Sequence, residues 1–364
     1  MSNSVQRQSR RPLAILIALA GALLLSISAH AQETKPALPS FDNPQQVEAW
    51  LAAKHIPALG LGVIRHGQLQ SVQVYGERQH GEPASVDTLF NVASVTKTVT
   101  SALVLKLASQ GQWDIDAPLA QFWTDPDVKD DPRAKLLTTR HVLNHQSGFP
   151  NWRWQNKGGK LAFEAAPGTR YGYSGEGFEY LRHALEAKFH QPLEQLASTR
   201  IFQPLGMHDT HFTWNAARDT KRIASPHDAS GKVLAVTENS EANAADLLKT
   251  TVGDYGRFLV AILNADGISK DLYAQMTAPA VQTRGQKYMG LGWELYTGLP
   301  GGETALSHGG SDPGVQTLVF LLPTSREGLI IFTNSDNGTA VFADLIAAVL
   351  KDKGQAIIDI EMKK

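Results

Sequence analysis

The stretch Phe90-Asn91-Val92-Ala93-Ser94-Val95-Thr96-Lys97 decides how the rest of this chain is read. It leads into an apolar run from Val99 to Leu107 that reads as a buried helix ending at Gln110-Gly111, where Gly suits a helix stop. Ser94 opens that helix and Lys97 follows three residues on, so at 3.6 residues per turn the two share a face. A serine hydroxyl is a weak nucleophile until a neighbouring base takes its proton, and a desolvated lysine amine is such a base. Backbone N–H groups at the helix start favour the negative charge that then develops. Ser94 is the only serine in the chain with Lys at the third following position. The competing reading is a serine cap on a core helix with a solvated lysine.

Outward from this stretch, the flanks set the frame. Arg7, Arg10 and Arg11 precede an apolar run from Leu13 to Ile27, and Ala29-His30-Ala31 supplies small residues for cleavage. The run of roughly 15 residues falls short of the ~20 that span a bilayer, and its flanks are those of a signal peptide. Residues 1–31 are therefore expected to be removed after Ala31, with no membrane anchor left on a periplasmic or secreted product. Arg10-Arg11 leaves the choice between the Sec and Tat routes open. The chain has 364 residues, 42% hydrophobic and 19% charged, with a formal net charge of −1. No basic field marks it for nucleic acid. The absence of Cys excludes disulfides, thiol catalysis and Cys-ligated metal.

Along the remaining chain, 32–42 reads as a flexible lead-in and Asn43-Pro44 as the start of a helix. Leu59–Ile64 and Leu69–Val74 alternate around His66-Gly67 as a hairpin. Residues 113–246 read as a mostly helical domain, with helices at 138–146, 177–189 and 192–201. A helix from Val252 to Asn264 leads back to strands at Thr304–Ser307, Gln316–Leu322 and Gly328–Thr333, and Val341–Leu350 forms a last helix before a tail at 353–364. The expected fold is α+β, an α/β sandwich. A discontinuous sheet domain (43–112 and 247–352) has an antiparallel sheet flanked by the terminal helices. The helical domain is inserted in it, and the active site lies at the junction.

Six phrases in order then resemble the serine β-lactamase-like superfamily, in its branch of class C β-lactamases, DD-peptidases and serine esterases. They are the Phe90–Lys97 stretch, Leu137–Pro150, Pro167-Gly168-Thr169 with Tyr171-Gly172-Tyr173-Ser174, Ile201–Met207, Gly290-Leu291-Gly292-Trp293 and His308-Gly309-Gly310. The resemblance spans roughly residues 45–350. It implies that Ser94 is acylated, with Lys97 and Tyr173 as its proton-handling partners; which of the two is the base stays open. It implies that His308-Gly309-Gly310 lines the cleft on a strand, with the Ser311 and Ser94 N–H groups forming the oxyanion hole. The His308 imidazole is left to bond either the tyrosine or a substrate carboxylate.

Two departures bear on specificity. The family's second motif is commonly Tyr-x-Asn, whose Asn bonds the acyl-amide of a substrate, and here Gly175 stands in that place. Glu176 is a partial substitute that accepts rather than donates. His308 stands where class C β-lactamases carry Lys, which weakens recognition of a substrate carboxylate. Trp152 and Trp154 are candidate cleft-lining residues beside Gly175 and Glu176. His141 and His145 have zinc-like spacing but no Glu after His141 and no evident third ligand, so they read as structural. The expectation is a serine hydrolase of small esters, amides or D-amino-acid peptides, with weak β-lactam reactivity and no cofactor or metal. The alternatives are a class C-like β-lactamase or DD-carboxypeptidase, and a non-catalytic homologue that binds peptidoglycan or a protein.

Overall fold

The computed structural model describes residues 38–363. The expected signal peptide and cleavage point lie outside them, as does the first part of the lead-in. The chain opens with α1 (Pro44–Ala52), whose first turn is capped by Asn43 and started by Pro44. The hairpin β1 (Ala58–Arg65) and β2 (Gln68–Gln79) follows. His66 and Gly67 both take positive φ, 51° and 73°, which matches the twist of a two-residue hairpin turn. Two minor strands, β3 (Glu82–Pro83) and β4 (Phe90–Asn91), lead to the buried helix α2 (Thr96–Ser109).

The stretch 113–246 adds no strand to either sheet among the described residues. It holds α3 (Thr139–Leu143), α4 (Gly175–Phe189), α5 (Leu193–Ala197) and α6 (Ala216–Asp219), joined by short 3₁₀ turns. The helix expected at 138–146 is only α3: Asn144 leaves helical geometry and His145 turns left-handed, φ 52°. The helix expected at 192–201 is α5 followed by one wide π turn over Ser198–Phe202.

The chain returns through β5 (Lys249–Thr250), α7 (Val252–Leu263) and α8 (Lys270–Met276) to six strands. These are β6 (Val281–Arg284), β7 (Lys287–Met289), β8 (Glu294–Leu299), β9 (Glu303–Asp312), β10 (Val315–Leu322) and β11 (Glu327–Thr333). The sequence reading has three strands here. β6 and β7 are short and mixed in polarity, so neither presents the alternation that marks a half-buried strand. The antiparallel sheet has nine strands in the order β3-β2-β1-β11-β10-β9-β8-β7-β6, and β4 pairs with β5 separately.

The pleat sorts the core into two layers. Leu59, Leu61, Phe320, Leu329 and Ile331 face α1 and the last helix, α9 (Phe342–Met362). Val319, Leu321, Ile330 and Phe332 face α2 and α7. β11 is covered on both sides, which is why Leu329-Ile330-Ile331-Phe332 is continuously apolar.

The tail expected at 353–364 is corrected: through Met362 it is helix. A break at Lys351 (φ 53°) redirects α9, after which Gly354, Ile357 and Ile360 are buried. Glu361 bonds Lys287 at 2.6 Å and Arg284 at 2.9 Å, both from β6–β7. The lead-in is also tied at its end, since Phe41 packs edge-on to Trp50 and its carbonyl accepts from Tyr75. No helix among the described residues is long and apolar enough to cross a membrane.

Candidate active site

Ser94 does not cap α2. It sits in a 3₁₀ turn, Ala93–Val95, immediately before the helix, and its side chain makes no capping bond. Ala93 is left-handed at φ 47°, an unfavourable state for a residue with a Cβ. Neighbours hold it there. The Ala93 N–H donates to Asn91 Oδ1 at 3.0 Å, and Asn91 Nδ2 donates to Asp312 Oδ2 at 2.9 Å at the end of β9. The Thr96 hydroxyl donates to the Ala93 carbonyl at 2.6 Å. Thr317 on β10 donates to the Val92 carbonyl at 2.9 Å.

α2 delivers Lys97 into this turn. Its Nζ lies 3.0 Å from Ser94 Oγ and 2.9 Å from the Ala245 carbonyl, with 0% of the residue exposed. Burial lowers its ammonium to about 8, against the attraction of Asp246, Asp312 and Glu179. The Asp246 and Asp312 carboxyls are hydrogen-bonded to each other, and burial raises both above the usual carboxylate range.

Tyr173 arrives from the stretch 113–246, just ahead of α4. Its hydroxyl faces Ser94, which favours the phenolate, while burial, the larger effect, holds the phenol above its ordinary range. Its ring lies 4.8 Å from Lys97 Nζ and packs on the His145 ring at 4.2 Å. His145 is buried, and its Nδ1 accepts the Ser174 N–H at 3.1 Å, so it clamps the tyrosine segment from behind. His141 is engaged elsewhere, with Thr138 at 3.1 Å, and no third His, Asp or Glu joins either ring among the described residues.

β9 supplies the facing wall. A Cβ on Gly310 would stand 2.3 Å from Thr317 Oγ1, 2.4 Å from the Val92 carbonyl and 3.1 Å from Ala93 Cβ, so only glycine lets this strand touch the serine turn. Ser311 is exposed at the strand end and its hydroxyl accepts from Gln316 at 2.9 Å. His308 is buried, with Nδ1 donating to the Gly309 carbonyl at 2.8 Å. Burial and the Lys97 charge drive it down to about 3, so the imidazole is neutral at physiological pH.

The other sequence candidates separate. Trp152 covers Gly175: a Cβ there would meet the indole at 2.7 Å. Glu176 is buried and occupied, since Arg153 donates to it from its backbone at 2.9 Å and from Nε at 3.0 Å. It is therefore not a free substitute for the missing Asn. Trp154 is 68% exposed and lines neither recess beside the site, in contrast to its expected place. Sequence reading gives no role to Asn91, Asn151, Ala245, Asp246 and Asp312. Asn91 lies in the quoted Phe90–Lys97 stretch and Asn151 beside Trp152, whereas Ala245 and Asp312 reach the serine turn only through contacts more than 100 residues apart.

A family model described as Beta-lactamase matches residues 44–352. The chain belongs to the beta-lactamase family. It is a serine hydrolase of that superfamily. Penicillin-binding protein 4 of Amycolatopsis lactamdurans is 24% identical over 344 residues, covering 84% of this chain and 88% of the relative. Esterase EstB of Burkholderia gladioli is 29% identical over 210 residues, covering 49% and 52%. Among solved structures, an octameric penicillin-binding protein homologue from Pyrococcus abyssi superposes with a TM-score of 0.72 at 21% identity, over 85% of this chain and 77% of that one. That likeness places this beta-lactamase-family chain in the same α+β fold.

Proposed function

We propose that this enzyme forms an acyl-enzyme at Ser94 and releases it to water, acting on small esters or amides. The observation that carries the reading is Lys97 Nζ, 3.0 Å from Ser94 Oγ in a site that lowers the lysine and raises the tyrosine. Near pH 8 neutral Lys97 takes the Ser94 proton as Oγ bonds to the substrate carbonyl carbon. The tetrahedral oxyanion is taken up by the backbone N–H groups of Ser94 and Ser311. Tyr173, held as a neutral phenol, passes the proton from Lys97 to the leaving alcohol or amine as its bond to carbon breaks. Water then adds to the acyl carbon by the same proton route in reverse, freeing the acid and restoring Ser94.

A neutral His308 supports a preference for leaving groups without a carboxylate. This favours the esterase side of the family, to which EstB belongs by name, over the carboxypeptidase and β-lactamase side. The pattern at residues 1–31 supports export to the periplasm or beyond. The test is turnover of p-nitrophenyl butyrate by the wild type and by Ser94→Ala. Steady turnover that Ser94→Ala loses supports the reading; equal rates in both would rule it out.

A further inference from the structure

The serine turn is tied to its surroundings by a chain of side chains that no catalytic step uses. Ala93 is the strained link: with φ at 47°, it sets the direction of the peptide whose N–H belongs to Ser94. Its own N–H goes to the Asn91 side chain, Oδ1 accepting at 3.0 Å, which closes a turn across two residues. Asn91 is itself fixed, because β4 pairs it with Lys249 of β5. The far end of the same amide, Nδ2, donates to Asp312 Oδ2 at 2.9 Å, at the end of β9. One amide therefore joins the turn that bears the nucleophile to the strand that faces it. Thr96 and Thr317 grip this turn by carbonyls, at Ala93 and Val92.

A single orientation of the amide satisfies both contacts. The Ala93 N–H is a donor, so oxygen must face it, and nitrogen must face the Asp312 carboxylate. Asp312 also meets the Asp246 carboxyl, and two facing carboxyls hold one proton between them. Burial raises Asp246 the further of the two, so Asp246 keeps the proton and donates it to Asp312. Asp246 follows Ala245, whose carbonyl accepts from Lys97 Nζ at 2.9 Å. The same chain thus begins beside the lysine and ends beside the serine. Asn91, Asp246 and Asp312 are each half-buried, so a change of side chain at these positions leaves the apolar core in place.

We propose that Asn91 is a positioning residue for catalysis. Braced by the Asp312–Asp246 pair, it holds Ala93 left-handed and so keeps Ser94 in register with Lys97. It touches no substrate. Without it Ala93 relaxes toward the right-handed region that a residue with a Cβ prefers, and the Ser94 peptide turns with it. The acyl donor still binds while the step at Ser94 slows, so the loss falls on kcat. This inference rests on the acyl-enzyme reading of Ser94.

Reversing the polarity of the bridge tests it. Asn91→Asp keeps an oxygen for the Ala93 N–H but sets its second oxygen against the Asp312 carboxylate. At neutral pH, kcat on p-nitrophenyl butyrate should fall about 10²-fold with KM nearly unchanged. Adding Asp312→Asn restores the bridge: the new amide donates to the new carboxylate and accepts from Asp246. This double variant should return to within a few-fold of wild type. Asn91→Ala should lose kcat to the same extent, and Asp312→Asn should not rescue it, because no carboxylate then stands at position 91. Rates are taken per folded chain, with Tm and circular dichroism measured on every variant. Single variants within a few-fold of wild type, a fall that loss of folded chain explains, or rescue absent from Asn91→Asp or equal on both changes overturns the proposal. Fluorophosphonate labelling of the wild type is run alongside. A labelled wild type with any of those results overturns only the Asn91 role; an unlabelled wild type overturns the acyl-enzyme reading and this inference with it.

Discussion

Lys97 Nζ lies 4.8 Å from the centre of the Tyr173 ring, and one shared environment moves the two groups in opposite directions. Burial penalises the charged form of each, which lowers an ammonium and raises a phenol. A phenol moved upward is a poor base at neutral pH and a sound hydrogen-bond donor. An amine moved down to about 8 is a base that is partly free at the pH where enzymes work. This asymmetry is why the proposed mechanism gives the base role, left open by the sequence, to Lys97.

The pH dependence follows with a definite sign. The base acts unprotonated, so kcat/KM on a neutral ester should rise about tenfold per pH unit below the Lys97 value and level off above about 8. Lys97→Arg, charged at every accessible pH, should show no recovery at high pH. A wild-type plateau already reached at pH 6 would remove Lys97 from this role.

Tyr173→Phe keeps the ring contact with His145 and deletes only the hydroxyl that meets Ser94. The expected fall in kcat/KM is about 10²–10⁴-fold, with the melting temperature nearly unchanged. Loss of fold in this variant, or activity within a few-fold of wild type, would show that the phenol is a packing element.

Gly310→Ala tests the fit between β9 and the serine turn. The new methyl would meet Thr317 Oγ1 and the Val92 carbonyl well inside contact distance. Overpacking of this kind costs about 1–3 kcal/mol, and here the strain falls next to Ala93 and Ser94. Urea denaturation should show the loss of stability, and ester turnover should fall by more than stability alone explains. Wild-type values in both assays would mean that the strand is free to shift.

Removal of residues 353–364 tests the helical end of the chain. It strips out buried Ile357 and Ile360 and the Glu361 bonds to Lys287 and Arg284. At ~1.5–3 kcal/mol per buried isoleucine, the expected loss is about 3–6 kcal/mol by urea denaturation. An unchanged midpoint would return the segment to the status of a tail.

What the sequence reveals and what it hides divide along chain distance. Ser94 and Lys97 are one helical turn apart, so their meeting follows from local geometry. The hairpin at His66-Gly67 and the buried run of β11 show themselves by periodicity in the same way. The Ala245 carbonyl and the Asp246–Asp312 pair have no such local mark, because they reach Lys97 only when β9 and the segment around residue 245 close over α2. Glu176 shows the same limit from the other side: its type suggested a cleft role, and only the fold reveals that Arg153 occupies it. The last helix is a different case. Gly354, Ile357 and Ile360 recur at three-residue spacing, a visible signal, but the break at Lys351 separates it from the stronger pattern before it.

The most direct test of the acyl-enzyme account is intact-mass measurement after incubation with a fluorophosphonate and, separately, with a fluorescent penicillin. The account predicts one covalent phosphonyl adduct per chain on the wild type, mapped by peptide fragmentation to Ser94 and absent from Ser94→Ala. An adduct of the penicillin at the same serine would place β-lactams among the acyl donors. A wild type that takes up neither reagent, or a Ser94→Ala variant labelled as fully as the wild type, would contradict it.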